Sequence, residues 1–340
     1  MNLVDSQEYN SLFDAISSTY AIGKKKAFKV VNSIMVETYW QIGEHIVEFE
    51  QNGKSKAIYG DKLLERLSRD LSFSFGKGFS LSNIYRFKQF YQCYPILATV
   101  SQELSWSHYC ELLTINSSLE RNFYEKQSII ESWSIRELKR QKNTSLFLRL
   151  AAGKDKKDIL HLAQKGKIVE KPEDILKDTY VFEFLKIPEP YHISETELET
   201  RLINQLQDFL LELGKGFAFI GRQYRITLAN RHHYIDLVFY HRILKCFVLI
   251  DLKKEVAGYE AIGQMNMYLG YMEAEQNVEG DNPPIGIILA REKDELQIKY
   301  AMSNTNSQLF VQKYQLYLPN EDELRKEIEL IYQQNKNSSN

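Results

Sequence analysis

The run YIDLVFYHRILKCFVLIDLKK, Tyr234–Lys254, reads as two apolar strands joined by a short turn. Strand interiors are depleted in Asp, yet Asp236 lies in the first strand and Asp251 and Lys253 lie in the second. A hairpin centred between Ile243 and Leu244 opposes Tyr240 to Phe247, Val238 to Leu249 and Asp236 to Asp251 on one face. Leu237 and Ile250 then meet on the other face. Directly opposed residues have Cβ atoms roughly 4.5–5.5 Å apart. The side-chain period of two puts Lys253 on the face of Asp251. A bulge in either strand would shift this register.

Two carboxylates so close repel unless something positive sits between them. Hard oxygen ligands suit Mg²⁺ or Mn²⁺ rather than zinc. Such a cation orients a water, lowers its pKa and stabilises the charge of a reacting phosphate. Lys253 beside it would hold the attacking water or offset phosphate charge. The other reading of the same residues is a structural Asp–Lys pair on a sheet rim.

The flanking pattern gives the fold. SETELETRLINQLQDFLLELG reads as a helix ended by Gly214. FAFIGRQYRITLA and the two runs above read as three strands, YEAIGQMNMYLGYMEAEQ as a helix and IGIILA as a strand. This αβββαβ order implies a mixed sheet with helices packed on it. Upstream, residues 1–150 read as helical, with apolar residues at three- and four-residue spacing in AFKVVNSIMVETYWQIGEHIVEFE and a break at Asn52-Gly53. Two helix patterns then flank GKGFS, with Gly76 and Gly78 stopping the first, Ser80 capping the second and Pro95 beyond its end. This is the pattern of a helix-turn-helix, and equally of a packed helical hairpin. The second helix would present Ser82, Asn83, Arg86 and Gln89, groups suited to base edges or phosphate. Ser134 and Glu137 form a capping box, and His108 beside Trp106 reads as structural. Residues 151–190, with KDKKD, EKPED and IPEP, read as a loose connector. The expected domains are therefore 1–150, helical; 151–190, connector; 191–320, catalytic-type α/β; and 321–340, a terminal helix or tail.

The Asp236 and Asp251-Leu252-Lys253 pattern, in this element order, resembles the PD-(D/E)xK nuclease superfamily. FLLELGKGFAFIGRQYRI, YIDLVFYH, DLKK, GQMNMYLGYM and NPPIGIILAREKDE are similar to the nuclease domain of the bacterial YhcG-like family. YWQIGEHIVEFEQNGKSKAIYG, LSRDLSFSFGKGFSLSNIYRFKQFYQCYP and LSWSHYCELL are similar to that family's amino-terminal domain. The resemblance implies an α+β chain: an all-helical, helix-turn-helix or winged-helix-like domain, then a restriction-endonuclease-like domain. It implies Asp236 and Asp251 as metal ligands and Lys253 as the catalytic lysine. A further carboxylate from the first helix would be Glu199, ahead of Glu197 and Glu195. Gln264 matches a helix position that lines such sites, with Tyr268 one turn on. Gln223, on the first strand, could reach the site, the phosphate, or only an edge-strand hydrogen bond. The superfamily often has Pro before the first Asp; Ile235 stands there, which costs nothing chemically. Asp251 in place of Glu requires a closer metal.

The whole-chain numbers leave room for this reading. The 340 residues are 44% hydrophobic and 26% charged, with a formal net charge of −2, an ordinary globular composition. No apolar run approaches the roughly 18–20 residues of a membrane span and no signal pattern opens the chain, so a cytoplasmic protein without membrane contact is expected. Cys93, Cys110 and Cys246 are far apart and lack zinc-site spacing. Charge is uneven: Asp61–Phe90 carries six Lys/Arg against three Asp/Glu, and Arg121–Leu160 ten against five. Such faces bind phosphate or are simply solvated. The leading expectation is a Mg²⁺- or Mn²⁺-dependent DNA endonuclease, acting on linear, branched or junction DNA or in defence. Glu199, Asp236 and Asp251 would hold the metal, Lys253 and Gln264 would complete the catalytic set, and Asn83, Arg86, Lys88 and Gln223 would touch nucleic acid. The alternative is a catalytically inactive DNA-binding subunit of a larger nucleic-acid-processing or defence complex. RNA cleavage is a third reading, since nothing in the chain tests for a 2′-OH. A homodimer and partner subunits are both compatible with the chain.

Overall fold

The structure is a computed structural model that describes residues 6–52, 60–152, 154–177, 179–187, 193–292 and 308–317, with 298, 320, 322 and 324–326. Most of the expected terminal helix, 321–340, lies outside the described residues. The chain divides into two units between Lys139 and Arg140. Among the described residues no helix is long and apolar enough to cross a membrane.

The first unit is helical, as its periodicity predicts. Helix α1 (Ser6–Asn52) is followed by α2 (Gly60–Phe75), α3 (Leu81–Cys93), α4 (Trp106–Leu112), α5 (Ser118–Glu131) and the start of α6 (Ile135–Asn143). Gly76, at φ 91°, follows the last residue of α2, a backbone that costs an L side chain energy. Ser80 then caps α3 by accepting from the Asn83 amide. The core lies between α1 and α3, where Ile46, Ile84 and Phe87 are buried with Leu64 of α2 and Tyr39 stacks on Phe87. Trp40 Nε1 donates to Tyr94 O at 2.6 Å. α1 and α3 approach so closely at Gly43 that a Cβ there would lie 2.1 Å from Phe87 O. His108 is structural, as expected, with Nδ1 2.8 Å from Ser105 Oγ and Nε2 3.0 Å from Trp133 O.

The second unit is a six-stranded mixed sheet between two layers. Its elements are α7 (Leu146–Ala151), α8 (Lys156–Lys165), β1 (Thr179–Val181), α9 (Glu195–Asn204), α10 (Leu206–Leu213), β2 (Phe217–Leu228), β3 (Arg231–His241), β4 (Cys246–Val256), α11 (Tyr259–Glu275), β5 (Ile285–Glu292) and β6 (Leu309–Gln315). The strand order is β1-β6-β5-β4-β3-β2. β2, β3 and β4 are antiparallel, whereas β4, β5, β6 and β1 are parallel. The expected αβββαβ order is present. The single helix read over residues 194–214 is two, broken at Gln205 (φ −119°, ψ 39°). One apolar layer joins Leu198, Leu202, Phe209, Leu237 and Ile250; the other joins α11 to Ile235, Val238, Leu249 and Ile288.

The segment 151–190, expected as a loosely built connector with short helices, does carry short helices, but it is also built into the sheet. Tyr180 and Phe182 are buried in the first layer, and β1 adds a parallel edge strand to β6. The expected boundary near residue 150 also moves, because the second unit begins inside α6. The cause is a buried ion cluster. Glu212 of α10 is fully buried. Its carboxylate lies 2.9 Å from Arg149, 3.3 Å from Lys177 and 3.4 Å from Arg140, and it accepts from the Val181 amide at 3.0 Å. Burial raises the pKa of Glu212, but Arg149, Lys177 and Arg140 together overturn that and hold it at about 2.

This packing sets the outcome of three substitutions. Gly43→Ala should lower stability by about 1–3 kcal/mol in thermal or urea unfolding, as overpacking does. Gly270→Ala in α11, where a Cβ meets nothing within 4 Å, should instead gain about 0.5–1 kcal/mol. Glu212→Gln should cost about 3–5 kcal/mol near neutral pH, because three cations lose their buried partner. The depressed pKa of Glu212 stabilises the fold above the ordinary carboxylate range, and this is lost as pH falls from about 4.5 toward about 2. The variant should lack that part of the acid-unfolding slope.

Candidate active site

The site forms where β4 leaves β3. The β3–β4 ladder runs from His241↔Cys246 to Leu237↔Ile250 in the register the sequence predicts. It then stops, so Asp236 and Asp251 are not the ladder pair that strict hairpin register would give. β4 continues instead beside β5, with Asp251 opposite Ile288 and Lys253 opposite Ala290. At this fork the Leu252 amide has no β3 carbonyl to meet. It donates to Asp236 Oδ2 at 2.8 Å. Two residues on, the Lys254 amide donates to Glu195 Oε1 of α9 at 2.9 Å. Carboxylates thus satisfy the amides that strand divergence leaves bare. The Asp236 and Asp251 carboxyls remain within hydrogen-bonding reach of each other.

A second irregularity faces the first. Ile235 and Leu237 pack into opposite apolar layers, which strict alternation does not allow. Across from Asp236, Gln223 has φ 46° and is missing from a β2–β3 ladder that includes Arg222↔Leu237 and Tyr224↔Ile235. A positive φ in a non-glycine strand residue is costly. Its effect is to aim Gln223 Nε2 at Glu199 Oε2 (2.6 Å) and Asp236 Oδ1 (3.1 Å) together. Of the three acidic candidates on α9, Glu199 therefore joins the site. Glu195 reaches the β4 backbone, and Glu197 is tied to Arg201 at 2.8 Å.

Lys253 Nζ lies 2.7 Å from Asp251 Oδ2. Lys253 and Gln264 line one open cavity of about 370 Å³ at the start of α11, with Tyr259 and Glu260 on its rim. Gln264 Nε2 contacts Tyr268 Oη at 2.5 Å, and that hydroxyl donates to Tyr234 O at 3.0 Å. Tyr268 thereby pins the strand two residues before Asp236.

Charge is poorly balanced here. Burial first, and the Asp236 carboxylate second, push Asp251 up to about 7 in spite of Lys253. Glu199 is raised by burial, Gln223 opposes the shift, and Asp236 adds to it. Burial disfavours the Lys253 ammonium, yet Asp251 outweighs this and raises its pKa. Asp251 Oδ2 is enclosed and lacks a well-directed hydrogen bond. Among the described residues no three His, Cys, Asp or Glu side chains stand in a metal-holding arrangement, since Gln223 spans Glu199 and Asp236 and Lys253 holds Asp251. The donor chemistry nevertheless fits a hard divalent cation: carboxylate oxygens only, two of them repelling, one enclosed and under-bonded.

In the first unit the nucleic-acid candidates behave differently from one another. Arg86 is exposed. Asn83 closes the turn through Nδ2 to Gly78 O at 2.9 Å, and Lys88 pairs with Glu50 at 2.7 Å. Gln89, expected on the outer face, bonds Leu113 O at 2.9 Å. Whole-chain charge counts miss a second basic strip. Ile220–Tyr234, around the β2–β3 turn, holds Arg222, Arg225, Arg231, His232 and His233 with no Asp or Glu. All three of its arginines are exposed. Counting charge per hairpin rather than per domain would have found it.

The raised pKa of Asp251 has a sign that can be tested. Its folded value lies above the ordinary Asp value of 3.8, so ionising it lowers stability progressively as pH rises toward and through about 7. Asp251→Asn should therefore raise Tm most at pH 8 without added metal, and clearly less at pH 5, part of the way down to the ordinary Asp value. Differential scanning fluorimetry at the two pH values reads the difference.

Residues 173–329 match the model of the YhcG PDDEXK nuclease domain, and residues 15–149 match the DUF1016 N-terminal domain. The chain is 34% identical to "Putative nuclease YhcG" of Escherichia coli (strain K12), over 94% of this chain and 93% of that one. Among solved structures, a repair endonuclease from Pyrococcus abyssi aligns with 22% identity and a TM-score of 0.27, over 39% of this chain and 50% of that one. An EndoMS–dsDNA complex aligns with 16% identity and a TM-score of 0.28, over the same shares. The chain spans about half the length of those two structures. With both of its halves matched and a curated relative covered almost end to end, the chain belongs to the YhcG family of PDDEXK nucleases.

Proposed function

We propose that this protein is a divalent-metal-dependent endonuclease that cuts DNA by water attack on a phosphodiester. One observation carries the reading: the β3–β4 fork brings Asp236, Asp251 and Lys253 to one point, with Gln223 linking Glu199 to Asp236. A protein that only bound DNA would gain nothing from buried carboxylates that repel phosphate. Asp236, Asp251 and Glu199 would hold Mg²⁺ or Mn²⁺, which supplies Lewis-acid polarisation of the phosphate and a more acidic water. Asp236 is fixed by the Leu252 amide on Oδ2 and by Gln223 on Oδ1, so its carboxylate is oriented before any ligand arrives. Gln223 keeps Glu199 and Asp236 from drifting apart. Lys253, on the wall of the open cavity, would move from Asp251 to the scissile phosphate or the attacking water. Gln264 would complete the wall opposite Lys253.

A nucleic-acid substrate is supported by the basic strip at Arg222, Arg225 and Arg231, next to the fork in sequence and free of carboxylates. Arginine pairs well with phosphate. The α2–α3 hairpin would add a contact through Arg86, with Asn83 and Lys88 recruited only by breaking their present bonds.

Lys253→Met separates a nuclease from a binder. It keeps most of the aliphatic stem and removes the amine. Fold by circular dichroism and Mn²⁺ binding by calorimetry should be retained, while cleavage of linear or branched DNA falls by about a hundredfold or more, the scale of one positioned electrostatic group. Asp251→Asn should weaken Mn²⁺ binding strongly. A wild type that binds DNA and cuts no substrate with either metal would leave the chain as a binding subunit.

A further inference from the structure

Helix α1 has two halves of opposite character. From Val36 onward it is packed into the first unit, with Val36, Trp40, Ile46 and Val47 buried. Before that, its large apolar side chains are bare: between Tyr9 and Ile34 they range from 53% exposed (Ile22) to 72% (Tyr20). Exposed apolar stretches of this size mark interaction surfaces, and an unpartnered helix draws little stability from propensity alone.

The order of these residues specifies the partner. Starting at Tyr9, small or apolar residues fall at 13, 16, 20, 23, 27, 30 and 34. The steps alternate four and three without a break, the heptad rule of a two-helix seam. Gly23 interrupts a helix that would favour Ala by about 1 kcal/mol. Among the described residues nothing lies within 4 Å of a Cβ built there, so no contact among them calls for a glycine.

We propose that this half of α1 pairs antiparallel with the same segment of a second copy. In the register that sets Phe13 against the partner's Val30, every inward position meets its counterpart, and at the two central levels large faces small. Tyr20 lies over the partner's Gly23, and Ile16 over the partner's Ala27. A glycine at that point makes room for the phenol ring. Charge selects the direction. A parallel pair would stack Lys24, Lys25 and Lys26 of both copies at one level, whereas the antiparallel register sets each triplet beside the partner's Ser17, Ser18 and Thr19. The area is sufficient. At roughly 100 Å² of exposed surface per large side chain, the six large side chains of the seam supply about 600 Å² per partner, and the exposed Leu12 and Val31 that flank it bring this to about the 800 Å² of a standard interface.

The test uses the full chain. Sedimentation equilibrium at tens of micromolar should give a dimer. Ile16→Glu should give a monomer with unchanged circular dichroism, since this side chain is 59% exposed in the single chain. Gly23→Leu improves helix propensity, yet should weaken association at least about tenfold because it fills the space for Tyr20. For direction, a spin label on Ser11→Cys, with Cys93 and Cys110 replaced by Ser and Cys246 buried, should place the two labels about 30 Å apart along the axis. Labels level with each other would overturn the antiparallel pairing. A monomeric wild type, a dimer indifferent to both Ile16→Glu and Gly23→Leu, or a monomer that binds phosphatidylglycerol vesicles through this helix would overturn the proposal itself.

Discussion

Everything at the candidate site depends on one hydrogen bond, from the Leu252 amide to Asp236 Oδ2. A strand that parts from its antiparallel neighbour on one edge, while staying paired with a parallel one on the other, leaves a backbone amide bare at the parting. An unmet buried amide costs on the order of a hydrogen bond. Filling that vacancy with a carboxylate solves a folding problem and fixes a negative oxygen in place. The other oxygen of Asp236 is then pointed by geometry that the fold already requires. Asp251, one peptide earlier on β4, is carried to it by the same divergence.

The second unit handles buried carboxylates in two contrasting ways. Glu212 is surrounded by Arg149, Lys177 and Arg140, and its pKa is driven down to about 2. Asp251 has one lysine and a repelling neighbour, and its pKa is driven up to about 7. The first arrangement is finished and holds the fold together. The second is short of positive charge, which is the condition of a group meant to receive something. Stability given up at such a site is a common accompaniment of function.

Much of this was legible in the chain. Alternation and turn position placed Leu237 through His241 against Cys246 through Ile250 in the correct register, because one apolar face on each side leaves no other choice. The same rule failed one step further, at Asp236 and Asp251. Hairpin logic has no means of knowing that the β3–β4 ladder stops at Leu237↔Ile250 while β4, paired along its other edge with β5, runs on. Residues 151–190 misled for a related reason: charge runs and prolines outweighed Tyr180 and Phe182, whose burial needs β6 and α10 in place. Gln223 was visible as a polar strand residue, but its backbone at φ 46°, which makes it a bridge between Glu199 and Asp236, is not a property any local pattern announces.

The Glu212 cluster also sets the smallest piece of this chain that can stand alone. A fragment cut at residue 173, where the nuclease-domain match begins, keeps Glu212 and Lys177 and discards Arg140 and Arg149. It would carry a carboxylate sealed in apolar surroundings with one cation left beside it. Sequence homology and electrostatic closure therefore draw different borders, and only the border ahead of Arg140 leaves no buried charge orphaned. The electrostatically closed unit is thus some thirty residues larger than the family match, extended by the two arginines that neutralise Glu212.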